Sequence, residues 1–169
     1  IRRVDDDWCD PLELREDSRL GVPGLLHAIR SGKVSVINAP GSGILENSAF
    51  PAFMHTISRY FLGEELIMPS IATWWCGHKK ELNYVLENLD KLIIKKANRK
   101  QKFRSVYGRL LSKEELSDLK HAILRTPHEY VAQEEVSFST TPSLLNGKID
   151  PRFASLRAFM VSDGNEYYA

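Results

Sequence analysis

The chain has 169 residues, 43% of them hydrophobic, with 23 Lys and Arg against 22 Asp and Glu. That is enough apolar side chain for one ordinary domain or two small lobes, and it excludes wholesale disorder. A formal net charge of +1 argues against a dedicated nucleic-acid binder, and no apolar run reaches the roughly 18 residues of a membrane helix.

Residues 1–19 are charged and irregular, and Pro11 blocks regular structure. Asp5, Asp6, Asp7, Asp10 and Glu13 offer hard oxygens to a cation such as Mg²⁺. An Asp-rich, Pro-interrupted stretch is equally a turn with Asx caps, and no EF-hand spacing is present. "VPGLLHAIRSG" predicts a short helix near Pro23–Arg30, with Gly32 after its end. "KVSVIN" (Lys33–Asn38) alternates weakly and is β-branched, which predicts a strand. "NAPGSG" follows as a turn-rich loop. Its Asn38, Gly41, Ser42 and Gly43 can offer amides to a phosphate or a substrate carboxylate, or simply close a tight turn. In "ENSAFPAFMHTISRYFLG", Phe50, Phe53, Met54, Ile57 and Phe61 recur at helical spacing, with Asn47 or Ser48 to cap and Gly63 to terminate.

"IMPSIATWWCG" predicts a loop entering a short strand near Ile71–Trp75. Leu82, Val85, Leu86 and Leu89 then form one helical stripe. "KLIIKK" reads as a buried strand, and "SVYGRLL" as its hairpin partner. Between Lys91 and Leu110 the chain carries eight Lys or Arg and no acid. "SKEE" at Ser112–Glu115 is a capping box that opens a helix to about Arg125. "EYVAQEEVSFS" is a strand with a polar interruption, "LNGK" carries an Asn146-Gly147 hairpin signal, "RFASLRAFMV" predicts a long strand, and "EYYA" begins another after the turn "SDGN". The order is αβα–β–αβ, then a helix, then an antiparallel meander, which makes an α/β or α+β protein with a boundary near residue 70 or 90.

Several residues carry chemical interest. Lys95, at the end of a buried strand and the start of a basic loop, can hold a triphosphate as a fixed point charge. The same charges also suit a solvated loop tip, and the loop has neither P-loop nor GxGxxG glycines. Gln133, Glu134, Glu135 and Val136 offer either a polar hinge for adenine or an edge strand guarded by outward charges. Arg157 falls mid-strand among Phe153, Ser155 and Phe159, where it needs an anion: a structural carboxylate or a ligand phosphate. The five His form no zinc or hydrolase pattern. Cys9 and Cys76 form no CxxC, which fits a reduced, cytoplasmic protein. Phe103 is the sole stacking candidate between Lys95 and Arg104, which speaks against nucleic acid as the partner.

The blocks "RRVDDDWCDPLELREDSRLGVPGLLHAIRSGKVSVINAPGSGILEN", "RYFLGEELIMPSIATWWCG", "YVLENLDKLIIKK", "HEYVAQEEVSFSTTPSL" and "LRAFMV", in that order over nearly the whole chain, resemble the circularly permuted ATP-grasp proteins related to glutathionylspermidine synthase. The resemblance implies an ATP-grasp-like fold of mixed sheets with flanking helices. It implies a carboxylate–amine ligase chemistry in which ATP phosphorylates a carboxylate that an amine then attacks. By position, Lys95 would contact the phosphates, Gln133–Val136 would hold adenine, and Arg157 would take the catalytic place facing phosphate or the reacting carboxylate. Residues 1–70 would form a substrate-side portion and 71–169 an incomplete nucleotide-binding portion. The chain starts at Ile1 and stops in "EYYA", so the expectation is a fragment of a longer protein, inactive alone. The remainder would supply the Mg²⁺ ligands. The implied partners are ATP and a small carboxylate, amine or peptide. The alternative is a non-catalytic relative that serves as a nucleotide-binding or scaffold module. Two departures stand out: "KANRKQKFRSVYG" replaces a Gly-rich loop, and Ser48 stands in the neighbourhood where many relatives have a lysine.

Overall fold

The computed structural model describes residues 1–98 and 103–168. Its helices are α1 (Leu25–Arg30), α2 (Met54–Leu62), α3 (Lys79–Glu87) and α4 (Lys113–Arg125). Its strands are β1 (Thr73–Trp75), β2 (Leu92–Lys96), β3 (Val106–Tyr107), β4 (Tyr130–Glu134), β5 (Thr140–Leu145), β6 (Lys148–Phe153), β7 (Val161–Ser162) and β8 (Tyr167–Tyr168). The predicted capping box opens α4: Ser112 Oγ accepts from Glu115 N at 3.2 Å, and Glu115 Oε2 accepts from Ser112 N at 2.8 Å. Gly63, at φ +70°, ends α2 in the left-handed conformation that glycine tolerates. No helix among the described residues is long and apolar enough to cross a membrane.

Residues Ile1–Glu134 form one compact unit. Its sheet has the order β1-β4-β2-β3, with every neighbouring pair antiparallel. β1 and β2 run the same way around α3, but β4 inserts between them, so no parallel pair touches. The mixed sheet implied by the resemblance is therefore corrected: every pairing among the described residues is antiparallel, an α+β arrangement. Alternation along the strands divides the sheet into two faces. Ile94 and Ala132 face Val85 of α3 and Ile123 of α4, all of them fully buried, and Leu92, Leu89, Cys76 and Tyr130 complete this core. On the other face, Ala49 and Phe53 pack against Val131, Trp75 and Ala97.

Asp10 organises the N-terminal segment. It is inaccessible to solvent and accepts from Leu12 N at 3.0 Å, Gly24 N at 3.1 Å and Leu26 N at 2.9 Å. It thus ties the start of α1 to the turn at Pro11 and realises the Asx-capped turn of the sequence reading. The Leu26 amide foremost holds its carboxyl below the ordinary value, against the upward push of burial, with Leu12 and Gly24 assisting. A depressed carboxyl stabilises the fold above its unfolded pKa, and that contribution is lost as pH falls through the folded value. Asp10→Asn should therefore be less stable than the wild type in urea at neutral pH, and the gap should close below about pH 4. A gap unchanged by acidification would remove this role.

Residues Glu135–Ala169 form a second unit. Asn146 at φ +50° and Gly147 at φ +77° make the predicted turn between β5 and β6. One face of this hairpin pairs Thr140 with Phe153, Pro142 with Pro151 and Leu144 with Ile149; the other pairs Thr141 with Arg152, Ser143 with Asp150 and Leu145 with Lys148.

Two predicted strands are corrected. Lys33–Asn38 forms none, because no other segment among the described residues pairs with it; Asn38 is instead tethered to Arg2. The long strand over "RFASLRAFMV" ends at Phe153, where its partner β5 begins at Thr140, and 154–160 are irregular. β4 is also no edge strand: β1 and β2 flank it on both sides.

Candidate functional site

Lys95 falls on the sheet face opposite the α3 and α4 core, since its neighbour Ile94 points into that core. Its Nζ donates to Gln133 Oε1 at 2.5 Å. Gln133 Nε2 donates to Thr73 Oγ1 at 3.3 Å, and Thr73 Oγ1 donates to the Ile71 carbonyl at 2.8 Å. The register explains the array: Gln133 lies opposite Ile93, two residues before Lys95 on the same face of β2, and opposite Thr73 of β1. Three strands thus present one ammonium, one amide and one hydroxyl as a connected polar row, with the ammonium oriented by the amide.

Gln133 therefore contributes its side chain, because its main chain is paired inside the sheet. Glu134 ends β4 with its amide donated to the Ala72 carbonyl at 2.9 Å, and alternation puts its side chain on the other face from Gln133. Glu135 and Val136 lie beyond the ladder, exposed, in the second unit. Arg157 is also in the second unit and is exposed in the irregular segment, so the buried mid-strand guanidinium of the sequence reading is corrected. The tip of the basic loop, from Arg99 to Lys102, lies outside the described residues.

Next to Lys95, Lys96 does different work. Its Nζ pairs with Glu129 Oε2 at 2.7 Å and sits 3.7 Å from the centroid of the Tyr130 ring. Burial pulls its ammonium down, but the bonds to Glu129 and Tyr130 outweigh that and its pKa stands above the ordinary value. Lys96 is thus a structural cation. Burial also raises the Cys76 thiol to about 11, which keeps it protonated and unreactive.

A separate cleft of about 870 Å³ opens between the N-terminal segment and the Asn38–Asn47 loop. Arg2, a residue the sequence reading passed over, builds it. Its guanidinium lies 2.5 Å from Asp6 Oδ1 and donates to the carbonyls of Val4, Asn38 and Ala39 and to Ser42 Oγ. Its main chain exchanges two bonds with the Asn38 side chain. Asp6 Oδ2 accepts from Gly43 N at 2.8 Å, and a Cβ on Gly43 would lie only 2.6 Å from that oxygen, so glycine is what permits the contact. Of the predicted substrate residues, Asn38, Ser42 and Gly43 line the cleft together, while Gly41 supplies the positive φ of +95° that turns the loop. Asn98, just beyond β2, completes the lining, and Ser48 N donates to the Ala97 carbonyl at 2.9 Å, stitching the loop to the end of the strand that carries Lys95. The signal for Arg2 was its place in an Arg-Arg-x-Asp run, but apart from Val4 and Asp6 its partners lie 36 to 40 residues away.

Among the described residues, no three His, Cys, Asp or Glu side chains gather as a metal site. The chain is 34% identical over 167 residues to the uncharacterized protein sll0335 of Synechocystis sp., an alignment covering 99% of this chain and 35% of that protein. It is 34% identical to the uncharacterized protein Rv2411c and 36% identical to the uncharacterized protein Rv2567, both of Mycobacterium tuberculosis, again with 99% of this chain covered but 30% and 19% of theirs. The chain thus spans about a third or less of the length of these curated relatives. A family description, circularly permuted ATP-grasp type 2, matches residues 1–169. With a match along its entire length, the chain belongs to the circularly permuted ATP-grasp type 2 family.

Proposed function

We propose that the polar row of Lys95, Gln133 and Thr73 is the phosphate-side part of an ATP site, in a longer protein with carboxylate–amine ligase chemistry like that of glutathionylspermidine synthase. The observation that carries this reading is the connected row itself, three strands wide, in a chain of an ATP-grasp family. The residues present fit a polyphosphate: Lys95 supplies a cation at a fixed point on a β-strand, and Gln133 sets its direction. ATP, when bound, would supply the phosphoryl group that activates a carboxylate toward an amine. The Mg²⁺ ligands of such a site would come from the remainder of the longer protein. Residues 1–70 form the substrate side of this arrangement and 71–169 the nucleotide side.

Calorimetric titration of the protein with ATP and Mg²⁺ tests the reading. Binding is expected, and Lys95→Ala should weaken it by about tenfold to a hundredfold, in line with the loss of one charge-assisted contact to an anion. Absence of heat at millimolar nucleotide, or equal affinity in the variant, would rule it out.

A further inference from the structure

The β5–β6 hairpin hangs on one turn. Leu145 pairs with Lys148, so the loop between the strands is Asn146 and Gly147 alone. Both are exposed, as is every residue of the hairpin except the half-buried Ser143. The Asn146 side chain makes no hydrogen bond among the described residues, and the Gly147 main-chain N–H makes none either. An asparagine carboxamide and the next main-chain nitrogen can close a five-membered ring, and their tethering offsets the weakness of both as reactants. Glycine in second place has no Cβ to block the approach. The attack needs the side chain folded back on that nitrogen, which the turn reaches when it loosens. This sheet has two strands; such a ribbon is marginal in water, so its turn opens readily.

Other places with related chemistry are held. Asn38 exchanges two bonds with the Arg2 main chain. Asn47 Oδ1 accepts from Ala49 N at 2.8 Å, and the Ser48 amide that would attack it is given to the Ala97 carbonyl. In Asp163-Gly164, Asp163 Oδ1 accepts from the Glu166 and Asn165 amides, each at 2.9 Å. These bonds, Glu166 foremost, hold its carboxyl below the ordinary value, and an ionised carboxylate has no leaving group for such an attack.

We propose that Asn146-Gly147 is a site of spontaneous covalent modification, in which the Gly147 nitrogen attacks Asn146 Cγ. The N–Cγ bond forms and the Cγ–Nδ2 bond breaks. Nδ2 leaves as ammonia, carrying the proton that Gly147 N gives up, and a cyclic succinimide remains. Water then opens the ring at either carbonyl to give aspartate or isoaspartate, with no change of oxidation state. Isoaspartate routes the main chain through the former side chain, which adds a methylene to the two-residue loop. Leu145 and Lys148 then no longer meet in register, and the hairpin opens.

The protein is incubated at mildly alkaline pH and physiological temperature, digested with trypsin and read by mass spectrometry, with a synthetic peptide of residues 126–148 alongside. Peptide 126–148 from the protein should give two products of equal mass, the isoaspartyl form in excess, while peptides 34–59 and 158–169 stay unchanged. Gly147→Pro has no amide hydrogen to lose, so it should yield no isoaspartate even if its hairpin is disrupted. Hydrogen exchange in β5 and β6 should be faster in the converted protein. Conversion of the synthetic peptide without the protein would show that the turn protects Asn146, and would overturn the proposal. Isoaspartate arising equally in Gly147→Pro, or equal conversion at Asn38 and Asn47, would overturn it too. Unchanged exchange in the converted protein would overturn the opening of the hairpin.

Discussion

Gly108→Ala should lower stability by about 3 kcal/mol or more, seen as a marked drop in the thermal unfolding midpoint. Gly108 opens a 3-10 turn, Gly108–Leu110, directly after β3, and this turn packs on another at Leu89–Lys91 just before β2. A Cβ there would lie 1.8 Å from the Leu89 carbonyl oxygen and 2.9 Å from its carbon. Both sides of the collision are backbone, so no rotamer change relieves it. Leu89 is 5% exposed and belongs to the core, while β3 is held in the ladder against β2. The reference is Gly32→Ala, where φ is +67° but nothing stands within 4 Å of the added atom. That change costs only the left-handed strain, about 1 kcal/mol. Equal midpoints for the two variants would mean that the close approach of the two turns does not exist.

Ile94→Ala should cost about 3 kcal/mol, and the neighbouring Lys95→Ala about 1 kcal/mol or less. The adjacent side chains point to opposite faces of one strand. Ile94 is fully buried between α3 and α4, with Val85, Ile123 and Ala132 among its cluster. Truncation there opens a cavity in a region that helices on one side and a sheet on the other cannot collapse to fill. Lys95 is half-buried and bonds to Gln133 across the other face. Stability and nucleotide affinity should therefore separate at consecutive positions: Ile94→Ala unfolds early, whereas Lys95→Ala stays folded and loses ATP. Urea titrations of both variants, read beside the ATP calorimetry, check this. If Lys95→Ala proved as unstable as Ile94→Ala, Lys95 would be a packing residue, and its conjectured contact with phosphate would lose its support.

What could be read in the sequence was what depends on near neighbours. Ser112 and Glu115 cap a helix three residues apart, Asn146-Gly147 folds its own hairpin, Gly63 stops α2, and the Leu82–Val85–Leu89 stripe turns inward. What could not be read was pairing at a distance. Lys33–Asn38 has the composition of a strand, but a strand exists only where a partner offers hydrogen bonds, and Arg2 claims Asn38 instead. The alternation in "RFASLRAFMV" is real, yet the ladder with β5 ends at Phe153, followed only by one bond from Ala154 N to the Ser139 carbonyl. Gln133 looked like a hinge because the polar run "QEE" interrupts an apolar strand. Its place inside a four-stranded sheet comes from β1, some sixty residues earlier, and is invisible locally. For the candidate site, Lys95 and the Asn38, Ser42 and Gly43 loop were singled out from residue type. Arg2 and Thr73, which organise them, were not, since each acts through partners remote in the chain.

The β5–β6 hairpin displays Leu144, Ile149 and Phe153 to solvent, each more than 70% exposed. Such a ribbon ordinarily invites another chain to lie alongside it. Here Pro142 and Pro151 face each other at its midpoint. A proline has no amide hydrogen to donate, so each rim of the ribbon is interrupted where an incoming backbone would need to zip. The greasy face can take a cover laid flat upon it, yet edgewise recruitment toward fibrils is broken halfway along on both sides.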